Sequence, residues 1–251
     1  MSETDDRHPT LDRVPRLGDE VLLTAYREHV DDIARVVEQQ RTRLRDHPRL
    51  RPQLDDVEAE LTYALVRHLR PRRVVEVGCF WGWSTTWLLS ALRDNGEGEL
   101  HSFDRVGHVE RTVEPELTDR WTFQLGDVRE RLVEIRASDP DHVFVDAAHT
   151  RRFGRWMTST LFPALTPGTP VSVHDVYHHR TTAPWSEGRE VENWAVRSGV
   201  PILTAARPRA TWLRREILEL RHRAGIQGAR GTTTDPMVWF DLPGRGPRRE
   251  P

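Results

Sequence analysis

The sequence predicts an α/β fold in which a doubly wound, mostly parallel sheet carries helices on both faces. Three observations support this prediction. From residue 71 onward, short apolar runs alternate with stretches of helical periodicity, as in successive βαβ units. The first run, Arg73–Val77, leads directly into a glycine turn and a helix, and acidic residues follow the next two runs. Ligands bind at the carboxyl edge of such sheets, where these turns and acids lie.

Seven apolar runs are predicted as strands. They are Arg73–Val77, Glu99–Phe103, Trp121–Leu125, His142–Val145, Val171–His174, Pro201–Thr204 and Met237–Leu242. Helical periodicity between them predicts helices over Ser84–Arg93, Phe153–Leu165, Arg189–Ser198 and Thr211–Arg223. The sequence therefore predicts a seven-stranded, Rossmann-like sheet whose last strand comes close to the C-terminus.

The chain divides into four predicted segments. Residues 1–18 are rich in charges and read as a mobile arm, and residues 244–251 read as a disordered tail. Residues 19–70 contain two amphipathic helices, separated by the break at Pro48–Pro52. These helices either cap the main domain over residues 71–243 or form the interface of a homodimer.

Composition narrows the range of functions. The net charge of −2 disfavours a nucleic-acid partner, because duplex binders carry a basic excess. No run reaches the ~18–20 apolar residues of a membrane span, and the polar first 20 residues contain no signal-peptide core, so we expect a cytoplasmic protein. A single cysteine excludes an internal disulfide. The chain contains no lysine, so a general base must be a histidine, a carboxylate or a tyrosine.

The glycine turn predicts the cofactor. Its spacing, Gly78-x-x-x-Gly82, is not the Gly-x-Gly-x-x-Gly of a dinucleotide site, which disfavours hydride transfer. S-adenosylmethionine (SAM) has no pyrophosphate and needs room for an aminoacyl group and a sulfonium. Glu76 is placed to interact with the cofactor's ammonium group, directly or through water, and Ser84 is placed to hold its carboxylate. A purely structural turn is the alternative.

Acidic residues after the next two strands favour the cofactor over a structural turn. Asp104 ends the second strand, 26 residues after Gly78, where a carboxylate accepts hydrogen bonds from both ribose hydroxyls. Gly126 and Asp127 follow the third strand and are placed for the adenine amino group. Acids at three successive strand ends are difficult to attribute to chance.

The run from Val74 to Asp175 resembles class I SAM-dependent methyltransferases. More narrowly, it is similar to the metal-dependent sugar, macrolide and cephalosporin-type O-methyltransferases. This narrower similarity rests on Val143-Phe144-Val145-Asp146-Ala147-Ala148-His149 and on Val171-Ser172-Val173-His174-Asp175. It covers roughly 100 of the 251 residues. The resemblance implies a methyltransferase sheet with the final strand inserted antiparallel and, here, an N-terminal helical cap.

The fourth and fifth strand ends carry the candidate chemistry. Asp146 ends the fourth strand, His149 lies three residues further on, and His174-Asp175 end the fifth. Asp146 and Asp175 are placed to share Mg²⁺, which would polarise an acceptor hydroxyl. His149 would then remove the proton. In the similar O-methyltransferases an Asp-x-x-His pair divides these roles in the same way, which implies that Asp146 is a metal ligand and His149 the base.

One departure from that family leaves alternatives open. The family has two adjacent acids after the fifth strand, where this sequence has His174-Asp175. His174 is either a third ligand, which would favour Mn²⁺, Fe²⁺ or Zn²⁺, or a second base in a metal-free site. Asp146 could also be only a helix N-cap. His178 and His179 are read as solvated loop histidines and Trp185 as a lid residue.

These observations predict SAM-dependent O-methylation of a small molecule, such as a sugar or a polyhydroxylated natural product. Metal-free transfer to nitrogen or carbon is the first alternative. A SAM-binding subunit without catalytic activity is the second, and the acids of the cofactor site do not separate it from an enzyme.

Overall fold

The computed structural model describes residues 17–177, 182–207, 209–231 and 237–244. The predicted mobile arm and disordered tail, and His178 and His179, fall almost entirely outside these ranges. Within them the chain forms, in order, α1 (Asp19–Glu28), α2 (Val30–Asp46), α3 (Asp56–Leu69), β1 (Arg73–Val77), α4 (Trp83–Asn95), β2 (Glu99–Asp104), β3 (Trp121–Leu125), α5 (Leu132–Ser138), β4 (His142–Val145), α6 (Arg151–Trp156), α7 (Phe162–Ala164), β5 (Pro170–Val173), α8 (Glu187–Ser198), α9 (Thr211–Arg223) and β6 (Val238–Asp241). A π-helical turn, Met157–Leu161, joins α6 to α7.

The strands form one sheet in the order β3-β2-β1-β4-β5-β6. The first five are parallel, and β6 is antiparallel to β5. The chain order reverses between β1 and β4, which is the switch point where ligands bind in open α/β sheets. The predicted doubly wound fold and the antiparallel last strand are confirmed.

The sheet of the described residues has six strands, not the predicted seven. Of the predicted strand Pro201–Thr204, only Leu203 forms a bridge, to Trp239 of β6. The Thr204 hydroxyl instead donates to the Met237 carbonyl and accepts from the Ala206 amide. These bonds turn the backbone away from the ladder, so the run never becomes a strand.

The sheet separates two apolar clusters. In β1, Val74 packs in one cluster with α1–α4, while Val75 and Val77 pack in the other with the helices after β4. All four residues of β4, and all four of β5, are buried. Strands whose two faces are both buried need helices on both sides of the sheet. This double burial explains why the sequences of β4 and β5 are almost continuously apolar.

The N-terminal helices pack on the first of these clusters. The long helix predicted before Pro48 is two helices, because the backbone leaves helical geometry at His29. Helix α1 packs against both α3 and α9, whereas α2 packs against α3. The bend therefore lets the two helices contact different partners. Asp55 begins α3 with a reciprocal capping box to Glu58. The apolar side chains of these helices are buried within the chain, which supports the interpretation as a cap.

None of the helices in the described ranges combines the length and apolar character that a membrane span requires.

Candidate functional site

A cavity of about 750 Å³ opens at the carboxyl edge of the sheet, across the switch point. It has the size of a pocket that holds a small ligand. Nine of the eleven predicted site residues line it. Of the two others, Glu76 lies beneath the glycine turn and Gly82 ends that turn at the start of α4. At the edge of the cavity, the backbone hydrogen bonds of the sheet continue beyond the ends of the strands. The Gly78 amide donates to the Phe103 carbonyl, and the Asp146 amide donates to the Val77 carbonyl.

The glycine turn runs tightly against the chain that follows β4. Gly78 has φ +86°, and a Cβ at this position would lie 1.9 Å from the Asp146 carbonyl oxygen. Gly82 has φ +77° and caps α4, with Thr112 and Val109 at 3.1 Å from the position of a Cβ. Only glycine meets both demands at Gly78, because it tolerates a left-handed φ and leaves room for the neighbouring backbone.

Glu76 holds the turn together from beneath. Its buried carboxylate accepts hydrogen bonds from the hydroxyls of Ser84 (2.6 Å), Thr85 (2.9 Å) and Ser102 (2.6 Å). Burial raises the pKa of Glu76 to about 7, although these hydrogen bonds oppose the shift. The structure thus turns Glu76 toward the helix and β2, with Ser84 between it and the cavity.

The acids after β2 and β3 face the cavity. Both backbone amides of Cys79 and Phe80 donate to one oxygen of Asp104, at 2.8 Å. Asp127 is paired with Arg129, whose hydrogen bond lowers the pKa of Asp127 to about 2. These hydrogen bonds fix both carboxylates in orientation. Asp104 ties the glycine turn to β2, as a residue serving the ribose would.

The ends of β4 and β5 bring three further residues together. The His149 Nδ1 atom lies 3.2 Å from an Asp175 oxygen, and its Nε2 atom lies 3.9 Å from an Asp146 oxygen. Asp175 has a left-handed φ of +60°, which is uncommon outside glycine and typical of functional turns. Asp146 is not the N-cap of α6, because Thr150 occupies that position and accepts from the Phe153 amide.

His174 lies behind this group and is almost fully buried. Its Nδ1 atom contacts Asp146 (3.3 Å) and its Nε2 atom contacts Glu58 of α3 (3.2 Å). Burial alone would lower the pKa of His174, but the two carboxylates raise it well above its usual value. With carboxylates on both ring nitrogens, His174 has no lone pair to offer a metal or a substrate proton.

A second glutamate, Glu187 at the start of α8, contacts His149. Its Oε1 atom lies 3.0 Å from the His149 Nδ1 atom, and its side chain is 1% exposed against 46% for His149. This hydrogen bond raises the pKa of His149 to about 9. Burial raises the pKa of Glu187 to about 7, although His149 opposes the shift.

The donor set suits a divalent cation. One ligand atom from each of Asp146, His149 and Asp175 lies within 4.8 Å of the others. The surrounding carboxylates of Glu58 and Glu187 leave the cluster with two more acids than imidazoles, an excess that a divalent charge would balance. This set differs from the predicted one, Asp146, His174 and Asp175, because His174 is already held between carboxylates.

Comparison with known proteins identifies the core of the chain. Residues 75–176 match the model of a family described as "Methyltransferase domain". Over these residues the chain is similar to methyltransferase domains. The recognition of a class I methyltransferase from the sequence is thereby confirmed. No curated protein matches the chain.

Solved structures of O-methyltransferases show the same fold as this chain. The O-methyltransferase TomG from Streptomyces achromogenes, in complex with SAM, is 19% identical with a TM-score of 0.52, covering 91% of this chain and 92% of its own. An O-methyltransferase from Bacillus cereus, in complex with SAH, is 14% identical with a TM-score of 0.56, covering 90% of this chain and 100% of its own. At these identities the similarity establishes the shared architecture.

Two residues of the site were not predicted from the sequence. Glu58 looks like an ordinary capping-box residue, and it lies 116 positions before its partner His174. Glu187 looks like an acidic first-turn residue after the N-cap Ser186. The only signal was that each occupies the start of a helix, where acids are common for local reasons. Their burial could not be read from that pattern.

The aromatic residues near the turn occupy different environments. Trp83 and Phe80 both line the cavity. Trp83 is buried and packs edge-on against Trp87, whereas Phe80 has φ +40° and is partly exposed. Trp81 stacks on His108 at 4.3 Å. Trp185 is 75% exposed just before α8, so its assignment as a lid residue stays a prediction.

Proposed function

We propose that the protein transfers a methyl group from SAM to a hydroxyl of a small-molecule acceptor. The observation that carries this proposal is the grouping of Asp146, His149 and Asp175 on the wall of the cavity that also holds the glycine turn. A donor site and a set of acid–base groups thus share one cavity at the switch point of a methyltransferase sheet. A small acceptor agrees with the net charge of −2, which offers no basic surface for nucleic acid.

The residues of the turn bind and orient the cofactor. The amides that open α4 face the aminoacyl end, and the Asp104 carboxylate faces the ribose hydroxyls. The Ser84 hydroxyl donates its proton to Glu76, so its oxygen is left to accept from the cofactor's ammonium group. Asp127 and the backbone after Gly126 border the adenine. When bound, SAM supplies an electrophilic methyl group on its sulfonium. Because the turn is held from beneath by Glu76 and from the side by Asp104, it presents a preformed surface.

His149 is the residue best placed to take the acceptor's proton. Its Nδ1 atom faces Glu187 and Asp175, so Nε2 is the nitrogen left for the acceptor. In this role His149 is the base and not a third ligand of the metal. The surrounding carboxylates keep His149 protonated near neutral pH, and a cation held by Asp146 and Asp175 would weaken that preference. A bound Mg²⁺ or Mn²⁺ would also lower the pKa of a coordinated hydroxyl.

Methyl transfer is tested with purified protein, methyl-labelled SAM and a panel of a catechol, a flavonoid and a macrolide glycoside. We expect one acceptor to gain a single methyl group at oxygen, located by mass spectrometry and NMR. His149→Ala should keep its SAM affinity in calorimetry and lose turnover. Methylation at nitrogen or carbon would instead support the first alternative. If the wild type binds SAM but methylates no acceptor, and His149→Ala behaves like the wild type, the protein is a SAM-binding subunit without catalytic activity.

The metal is tested by chelation. EDTA should abolish turnover, and Mg²⁺ or Mn²⁺ should restore it. Asp175→Asn should weaken metal binding, measured directly by calorimetry on the SAM-saturated protein. Undiminished turnover after EDTA, together with a dialysed protein that contains no metal, would overturn the metal-dependent version. Location in the cytoplasm and a homodimeric state remain parts of the proposal, and gel filtration with light scattering tests the latter.

A further inference from the structure

We propose that Glu187 is a positioning residue that fixes the His149 ring so that Nε2 faces the acceptor. The inference rests on the proposed function, since it assigns a task to a residue beside the proposed base. Nothing in the family match includes Glu187, because the match ends at residue 176.

Two close backbone contacts bring Glu187 to the site. A Cβ on Gly154 of α6 would lie 2.8 Å from the Glu187 Cα atom, and a Cβ on Gly188 would lie 2.6 Å from the Val176 carbonyl oxygen. The start of α8 is thus pressed against both α6 and the segment after β5. Ser186 caps the helix and fixes where its first turn begins. The position of Glu187 is therefore determined by backbone packing, not by a mobile loop.

The contact itself is short and buried. The Glu187 Oε1 atom is 3.0 Å from the His149 Nδ1 atom, and the Asp175 oxygen near the same nitrogen is 3.2 Å away. The second Glu187 oxygen, Oε2, is buried with no hydrogen-bond partner in the part of the chain described. A buried carboxylate that leaves one oxygen unmatched is costly, so His149 is the main compensation for placing an acid here.

This pairing determines which ring nitrogen is available. A hydrogen bond to a carboxylate keeps the proton on Nδ1, so a neutral His149 would carry its lone pair on Nε2. The Nε2 atom lies 3.9 Å from an oxygen of Asp146, a residue that lines the cavity. Without Glu187 the half-exposed ring would keep only the longer Asp175 contact on Nδ1, from a residue that is itself a candidate metal ligand, so its orientation and tautomer would be held less firmly.

Glu190 provides a matched control on the same helix. It lies one turn further along α8 and pairs with Arg151 and Arg155, at 2.5 Å and 3.4 Å. Like Glu187, it is an acidic residue near the start of α8, but its two arginine partners lie outside the cavity. The Glu190 side chain is 10% exposed and its arginine partners are 50% and 62% exposed, so removing it takes a half-buried ion pair from α8 without touching His149.

The first measurement is the ring N–H proton of His149, assigned by its loss in His149→Ala. We expect a downfield signal that exchanges slowly with water in the wild type and in Glu190→Ala. In Glu187→Ala it should shift upfield and exchange faster, while Glu187→Gln should partly restore it, because an amide oxygen can accept the same bond. An unchanged signal in Glu187→Ala, or no protected signal in the wild type, would overturn the proposal.

The second measurement is turnover with the acceptor found in the methylation panel. Glu187→Ala should lose about 10- to 100-fold in kcat, the range for partners that orient reacting groups, with its KM for SAM unchanged. Equal kcat values for Glu187→Ala and Glu190→Ala would also overturn the proposal. If the wild type methylates no acceptor, the proposed function fails, and the histidine signal still decides whether Glu187 fixes the ring.

Discussion

At the residue scale, Gly78 is the position where the cofactor turn depends most on one side chain being absent. Its φ of +86° alone would penalise any other residue. Its close approach to the Asp146 carbonyl adds a second, steric demand. This approach joins the donor side of the site, at β1, to the reacting side, at β4. A change at Gly78 therefore disturbs both halves at once.

Gly78→Ala should destabilise the protein by clearly more than Gly96→Ala. Gly96 ends α4 with φ +73° and has open space around the position of a Cβ, so its substitution costs only the left-handed strain, about 1–2 kcal/mol. Gly78→Ala adds a backbone clash to that strain and should also abolish SAM binding. Urea denaturation and calorimetry with SAM check both expectations. Equal losses of stability in the two variants would show that the clash relaxes at no cost.

At the element scale, helix α2 touches the cofactor turn through one buried arginine. The Arg43 guanidinium donates to the carbonyls of Thr112 (3.1 Å) and Gly82 (3.3 Å) and to the Thr86 hydroxyl (2.5 Å). It also pairs with Glu114 at 2.7 Å. Burial lowers the pKa of Arg43 to about 10, so the group stays protonated at neutral pH. The N-terminal helices thus help to fix the shape of the turn.

Arg43→Met should therefore weaken SAM binding as well as stability. Methionine fills much of the same volume but leaves the buried Thr112 carbonyl without its donor, at about 1–3 kcal/mol, whereas the Gly82 carbonyl still accepts from the Thr86 amide. Arg41→Met is the matched control, since Arg41 lies on the same helix in a half-exposed pair with Glu38 and should change stability by less than about 0.5 kcal/mol. Calorimetry with SAM gives the affinities. An affinity in Arg43→Met equal to that of Arg41→Met would mean that the turn keeps its shape without α2.

At the scale of the whole molecule, buried acids make stability depend on pH. Glu60 of α3 is fully buried, where it accepts from Tyr26 (2.6 Å) and pairs with Arg221 of α9 (3.1 Å). Burial raises the pKa of Glu60 to about 8, although Arg221 opposes the shift. Because the folded-state pKa lies above the unfolded one, this group contributes stability that is complete at low pH and is lost as pH rises through about 8.

The free energy of unfolding should fall between about pH 6.5 and pH 8.5. Glu60 contributes about 2 kcal/mol of this fall, since each pH unit below its folded pKa is worth about 1.4 kcal/mol. His149 changes stability in the same direction, because its pKa is also raised. Glu60→Gln should flatten the curve, whereas Glu219→Gln, at an exposed pair with Arg223, should leave it unchanged. Denaturant titrations at several pH values make the comparison. A slope in Glu60→Gln as steep as in the wild type would contradict this account.

Much of the architecture was predictable because it is written in local patterns. Six of the seven predicted strands are present. The glycine turn and the acids after β2 and β3 lie where the pattern predicts them, and the helix predicted over Thr211–Arg223 is found with the same bounds. The predicted strand at Pro201–Thr204 failed because a pattern of apolar residues does not show where a hydroxyl such as that of Thr204 will divert the backbone. The bend at His29 carries no glycine or proline to announce it.

The sequence by itself determined the fold class and the cofactor side of the site, because strand, turn and following acid are neighbours along the chain. Only the tertiary structure decided the partners of the reacting side. His149 meets Glu187 across 38 positions, and His174 meets Glu58 across 116. Such pairs depend on which helix starts are packed against the sheet edge, and that packing is a property of the whole fold. Burial then turns two ordinary first-turn acids into the hydrogen-bonding partners of the two histidines.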